Sequence, residues 1–224
     1  MNFHFAFLRL RVFVVKVFFT LHFSFFIFHF PKFLPIFANN INTHSMVTKI
    51  IEKAINEQIL KEEHSSRIYL SMASWAQVNG FQGAAEWLYA QTDEERMHEL
   101  KLIHYLNDRG GNALLDDLEK PAGKFKSLLD VFQQVLKHEE YISASINEIY
   151  ALSTKQNDYS TGNFLQWYIT EQIEEESTIR AILDQIRLTG EEKGGLFHMD
   201  KELAALAAKK RTSQLAAATT NAGI

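Results

Sequence analysis

Four stretches of this sequence space their apolar residues at alternating steps of four and three, and each carries a glutamate in mid-run. Such spacing marks one buried face of a helix. The windows are about residues 48–79, 83–109, 125–155 and 159–188. The third is the clearest, reading Leu128, Phe132, Val135, Glu139, Ile142, Ile146, Ile149. The fourth reads Leu165, Tyr168, Gln172, Glu175, Ile179, Ile182, Ile186. The second reads Ala84, Leu88, Gln91, Glu95, His98, Leu102, Tyr105, and the first Ile55, Ile59, Glu62, Ser66, Tyr69, Ala73, Ala76.

One glutamate in an apolar seam is ordinarily a slipped register or a residue on the rim. One per helix, all near mid-length, is a different matter. Burying an unpaired charge costs several kcal/mol, four together also repel, and a domain has only about 5–15 kcal/mol to lose. Protons or cations must therefore neutralise Glu62, Glu95, Glu139 and Glu175. Two divalent ions match four carboxylates, so the seams predict a dinuclear metal site. Carboxylates with one imidazole and no sulfur suit iron or manganese better than zinc, and calcium seldom uses a histidine such as His98. Glu95 and His98 stand i, i+3 on one helical face, a Glu-x-x-His spacing already known from di-iron helical bundles.

The punctuation gives the connectivity. Gly80 and Gly83 close the first junction, and Asn157-Asp158 with Ser160 the third. The second, from Arg109-Gly110-Gly111 to Pro121-Ala122-Gly123, is too long for a tight hairpin. The expectation is an all-α four-helix bundle of two antiparallel pairs, joined by a long crossover between the second and third helices. A short fifth helix is expected over about 193–209. Residues 209–224, rich in Ala and Thr, are expected to lack regular structure.

The folded domain is thus set at 46–208, since composition changes at Met46. Before it stand 13 of the 18 Phe, with four Lys/Arg and no acid. Residues 1–45 read as upstream sequence translated in frame, as a targeting peptide or as a membrane anchor. Lys16, His22 and His29 interrupt the apolar run a spanning helix needs. The remainder has 19 basic and 27 acidic side chains, a balance that argues against nucleic acid and suits cation binding. The chain has no Cys, which excludes disulfides and thiolate metal sites.

Asn56-Glu57-Gln58, Tyr69, Glu94-Glu95-x-x-His98, Lys137-His138-Glu139, and Asn163-Phe164-Leu165-Gln166-Trp167-Tyr168 with Glu171-Gln172-x-Glu174-Glu175 resemble the bacterial non-haem ferritins over about residues 46–206. The resemblance implies a first iron site at Glu62, Glu95 and His98. It implies a second at Glu95, Glu139 and Glu175, bridged by Glu95. A third is implied at Glu94, Glu171 and Glu174, sharing Glu175. Spacing alone leaves a solvated helix face equally open for Glu94, Glu171 and Glu174. Tyr69, plain core by spacing, becomes by resemblance a phenol that donates an electron to the irons.

Departures from related patterns sharpen the reading. Gln172 stands where a symmetric di-iron bundle has its second histidine, so the second site, in which Gln172 is counted, is expected to be weaker and more exchangeable. Bacterioferritins carry a haem-ligating Met just after the bridging Glu; here Arg96 occupies that position, and no haem is expected. The absence of Cys excludes a rubredoxin-type tail. The resemblance implies a cytoplasmic homo-oligomer, a cage of twenty-four subunits that oxidises Fe(II) with O2 or peroxide and stores ferric mineral, with no membrane partner unless residues 1–45 are genuine. Two rivals stay open: a di-iron oxidase or peroxidase of small oligomeric state without storage, and a purely structural bundle.

Overall fold

The helices end where backbone chemistry ends them. In the computed structural model, which describes residues 47–190 and 193–221, α1 spans Lys49–Val78, α2 Gln82–Asp108, α3 Leu128–Lys155, α4 Tyr159–Thr189 and α5 Lys193–Asn221. The readings for residues 1–45 lie outside the described residues, among which there is no strand. Gly80 (φ 88°) and Gly110 (φ 74°) adopt left-handed backbone just past α1 and α2. There Phe81 N donates to Ala76 O and Gly80 N to Gln77 O, and Gly111 N to Leu106 O with Gly110 N to Asn107 O. This paired closure satisfies the last carbonyls of a helix. Asn157 (φ 54°) does the same for α3, with Asp158 N on Ser153 O and Asn157 N on Thr154 O.

Helix starts are capped by side chains. Thr48, Ser127 and Asp158 accept from the backbone N–H groups of Ile51, Asp130 and Thr161. At α2 the N-cap Phe81 offers no side-chain acceptor. Asp200 of α5 fills that role, with Oδ1 2.9 Å from Ala84 N. The approach is so close that a Cβ on Gly83 would lie 1.7 Å from Asp200 O. Glycine at 83 is what lets α5 reach the start of α2.

The two expected pairs form, α1 against α2 and α3 against α4, and α1 also packs against α3. The crossover between α2 and α3 is tied down along α1. Asn112 N donates to Glu52 Oε1, Asn56 binds Asn112 O and Leu114 N through its amide, and Ser71 Oγ donates to Ala122 O. α5 packs on α2 and α4. It runs on to Asn221, so residues 209–221, expected without regular structure, are helical, and the boundary at 208 does not end the fold. Met199, Leu203 and Ala207 bury one face of α5 in the bundle, and the alanines beyond favour continuation.

The core is split. One apolar layer holds Tyr69–Ala76 of α1, Ala84–Leu88 of α2, Leu128–Val135 of α3 and Ile179–Ile186 of α4, with Met199, Leu203 and Ala207 of α5. The other holds Ile51–Ile59, Leu102–Leu106, Ile142–Ile149, and Leu165 and Tyr168. On every helix of the bundle the seam glutamate falls between the two layers.

Candidate metal centre

Glu62, Glu95, Glu139 and Glu175 are each at most 4% exposed. With His98, Gln58, Gln91 and Gln172 they form a polar slab between two apolar halves. Water is excluded above and below, so every charge in the slab must find its partner within it.

Glu62, Glu95 and His98 converge, with one ligand atom from each lying within 4.8 Å of the others. His98 Nδ1 is 3.7 Å from Glu95 Oε2. No hydrogen-bond partner other than these two facing carboxyls reaches Glu62 Oε2 or Glu95 Oε2, although both are buried. Buried carboxylate oxygens left without donors beside an imidazole are the donor set of a hard or borderline divalent cation. The residues fit the ion that the seams predict.

Glu62 Oε1 and the oxygens of Glu139 and Glu175 are held by identifiable partners. Gln58 Nε2 donates to Glu62 Oε1 at 2.8 Å, and its own carbonyl accepts from Ser145 Oγ, which is met by Lys61 Nζ. This chain of polar groups runs from the half-buried Lys61 into the slab. Tyr69 Oη donates to Glu139 Oε1 at 2.6 Å and Gln172 Nε2 to Glu139 Oε2 at 3.0 Å. Gln91 Nε2 donates to Glu175 Oε2 at 2.8 Å. His98 is boxed by the edges of Trp167 and Tyr168, and Tyr168 Oη donates to the His98 carbonyl at 2.7 Å. Gln172 also lines an open cavity of about 280 Å³ between α3 and α4, with Ser143, Glu176 and Arg180, and so stands between that cavity and Glu139.

Electrostatics divide the glutamates. Burial, then the charge of Glu95, holds Glu62 well above the ordinary carboxylate range, despite His98 and Gln58. Burial and the charges of Glu139 and Glu175 do the same to Glu95. Burial also raises Glu139, with the Tyr69 and Gln172 hydrogen bonds opposing it. Glu175 goes the other way. Burial pushes it up, but the charge and hydrogen bond of Lys210 outweigh that and hold it low. Lys210 Nζ is 3.0 Å from Glu175 Oε1 and ion-paired with Glu94 as well.

The outer acids are sorted differently from the sequence expectation. Glu94 and Glu171 converge with His98, whereas Glu174 is exposed and belongs to neither converging group. Burial lifts Glu94 to about 7, against the pull of Lys210. Gln58, Lys210 and Glu99 were missed as site neighbours. Glu99 is fully buried one turn from Glu95 and ion-paired with Arg96. The signal for Lys210 was present: Met199, Leu203, Ala207, Lys210 and Gln214 continue the helical spacing through the segment read as a tail.

Residues 52–189 match the family model described as a ferritin-like domain. The chain is 43% identical over 166 residues to a bacterial non-heme ferritin of Campylobacter jejuni, covering 74% of this chain and 99% of that one. It is 40% identical over 158 residues to a bacterial non-heme ferritin of Escherichia coli, covering 70% and 95%. Among solved structures, it resembles an open pore ferritin from Archaeoglobus fulgidus with TM-score 0.70 and 37% identity, covering 70% of this chain and 98% of that one.

Proposed function

This chain belongs to the ferritin family, and from that premise we propose that it is an iron-storage subunit whose polar slab oxidises Fe(II) for deposition as ferric mineral. The observation that carries the reading is the buried convergence of Glu62, Glu95 and His98, with two carboxylate oxygens that no group beyond the facing carboxyls satisfies. In this reading one Fe(II) is bound by Glu62, Glu95 and His98. A second is bound by Glu95, Glu139 and Glu175, with Gln172 beside it and Glu95 shared. Each Fe(II) gives up one electron. O2 takes two electrons and two protons and leaves as H2O2, or peroxide takes two electrons and two protons and leaves as water.

The protein's part is to make the ferric state the better bound. The carboxylates match a third positive charge better than a second one. Because burial raises Glu62, Glu95 and Glu139 above the ordinary carboxylate range, Fe(II) competes with protons for them and its binding is coupled to proton release. Reduction of O2 through to two waters takes four electrons and four protons, and in that case two electrons come from the pair, one from a third Fe(II) at the accessory site and one from Tyr69, hydrogen-bonded to Glu139. Glu94 and Glu171, with Glu174 at the solvent edge, form the accessory site through which iron moves on. Gln172 in place of an imidazole keeps the second site exchangeable. The working assembly is a homo-oligomer, which we set at twenty-four subunits in the cytoplasm, without haem and without nucleic acid. No helix among the described residues is long and apolar enough to cross a membrane.

The test is to load full-length apo protein with Fe(II) anaerobically, admit O2, and follow ferric absorbance alongside sedimentation. Rapid oxidation followed by growth in particle mass is expected. Oxidation by a small oligomer that gains no mass favours a di-iron oxidase. No oxidation above buffer sinks the proposal.

A further inference from the structure

The slab already holds a cation, and it is part of the protein. Lys210 lies on α5, outside the four helices that supply the glutamates, yet its Nζ reaches Glu175 Oε1 at 3.0 Å and Glu94. Its side chain is only 18% exposed. Two further contacts place it there. Gln214 Nε2, one turn on, donates to Ala90 O at 3.0 Å, and the Lys210 ammonium also faces the Trp87 ring. Earlier on the helix, Asp200 caps α2 and Ala207 packs in the core. Glu175 Oε2 already accepts from Gln91, so a cation entering beside Glu175 competes for Oε1, which the ammonium occupies. Two cations on one carboxylate oxygen repel, and in a site shielded from water that repulsion is little screened.

We propose that Lys210 is a built-in competitor for the second metal position, displaced together with the C-terminal half of α5 when iron binds Glu175. The proposal rests on the ferroxidase reading above and deepens it, since it makes α5 responsive to occupancy of the site. The first position, at Glu62, Glu95 and His98, has no such occupant and fills first. The anchoring of α5 divides at Ala207. Asp200 and Ala207 stay with the bundle, while Lys210 and Gln214 let go of it.

The experiment is anaerobic calorimetric titration of full-length apo protein with Fe(II), for wild type, Lys210→Gln, Lys210→Arg and Gln214→Ala. Hydrogen exchange of residues 205–216 is followed with and without metal. Removing the competing charge is expected to tighten the weaker of two binding steps by about tenfold and leave the stronger step alone. Lys210→Arg keeps the competition, and Gln214→Ala, which keeps the charge, tightens the weaker step by less. In wild type, metal is expected to speed exchange in residues 208–216 and not in 199–207. Two binding steps that Lys210→Gln leaves unchanged or weakens, or exchange that metal leaves unaltered, overturn this inference alone. The absence of saturable Fe(II) binding in every protein overturns the ferroxidase reading with it.

Discussion

Tyr69 of α1 and Glu139 of α3, 70 positions apart in sequence, are joined across the bundle by a hydrogen bond of 2.6 Å from the phenol to the carboxylate. Both are 1% exposed, so the bond is a fixed part of the slab. It links the residue proposed to supply an electron to a ligand proposed for the second iron. It also opposes the burial that raises Glu139.

Tyr69→Phe leaves Glu139 Oε1 without that donor. The apo protein is expected to lose about 1–2 kcal/mol, read as a lower denaturant midpoint with an unchanged slope. Glu139 should then hold its proton more tightly, and the weaker Fe(II) step should weaken further. A midpoint equal to wild type at neutral pH would mean that the hydrogen bond is not part of the native slab.

Glu95 is the one glutamate that converges with Glu62 and His98 and is also raised by the charges of Glu139 and Glu175. Glu95→Ala is therefore expected to slow initial Fe(II) oxidation by at least about a hundredfold, as loss of a shared ligand does. Glu174→Ala, at an exposed position, should preserve the fast phase and change the iron consumed per O2. Stopped-flow absorbance with an oxygen electrode reads both, and equal loss of initial rate in the two variants would abolish the division into a catalytic pair and an accessory site.

Much of this slab was legible because periodicity and burial are two forms of one constraint. Leu165, Tyr168, Gln172, Glu175, Ile179, Ile182 and Ile186, read as the seam of α4, are all buried in the fold. A seam shows which residues face inward and not what they touch. Gln58 lies beside the α1 seam and one turn from Glu62, but that Ser145 of α3 fixes its amide carbonyl could be found only in the fold. Glu174 follows Ile173 by one step and lies about 100° around the helix from Glu175, which is why a shared patch in sequence becomes two environments in space. Lys210 continues the spacing of Met199, Leu203 and Ala207, but its neighbours are alanines, threonines and charges, so the spacing carries no apolar seam to mark that face as the one docked on α2.

The docking of α5 has its own test. Asp200→Ala removes the acceptor for Ala84 N and leaves α2 with no side-chain cap, at an expected cost of about 1 kcal/mol. Gly83→Val is harsher, since its Cβ would have to displace the backbone at Asp200 O. Circular dichroism melts should show a small loss for the first. The second should detach α5, visible as fast exchange over residues 196–214 with α1–α4 still protected. Full protection of that segment in Gly83→Val would show that α5 does not lie against the start of α2.

The crowding of charge can be tested by replacing one ligand with its neutral twin. Glu62, Glu95 and Glu139 are all pushed above the ordinary carboxylate range, by burial first, and Glu94 is raised from 4.5 to about 7. A raised acid binds its proton more tightly in the folded protein than in the unfolded chain. Its contribution is therefore fully present below the unfolded value and is lost as pH rises through the folded one. For Glu94 that window runs from 4.5 to about 7, and apo stability should fall with pH across it. Glu175, held low beside Lys210, has the opposite slope, at acid pH. Glu139→Gln deletes a charge that raises Glu95. Tyr69 can still donate to the amide oxygen, while Gln172 must turn its own amide to accept from the new NH2. The apo variant is thus expected to be at least as stable as wild type at about pH 8, with a shallower decline above about pH 5. Its weaker Fe(II) step should lose affinity, because a charged ligand has gone. Titrations in two buffers of different protonation enthalpy should show fewer protons released per iron than in wild type. Destabilisation of the apo variant at high pH, or iron binding to wild type without proton release, would mean that these carboxylates are ionised and satisfied before any metal arrives.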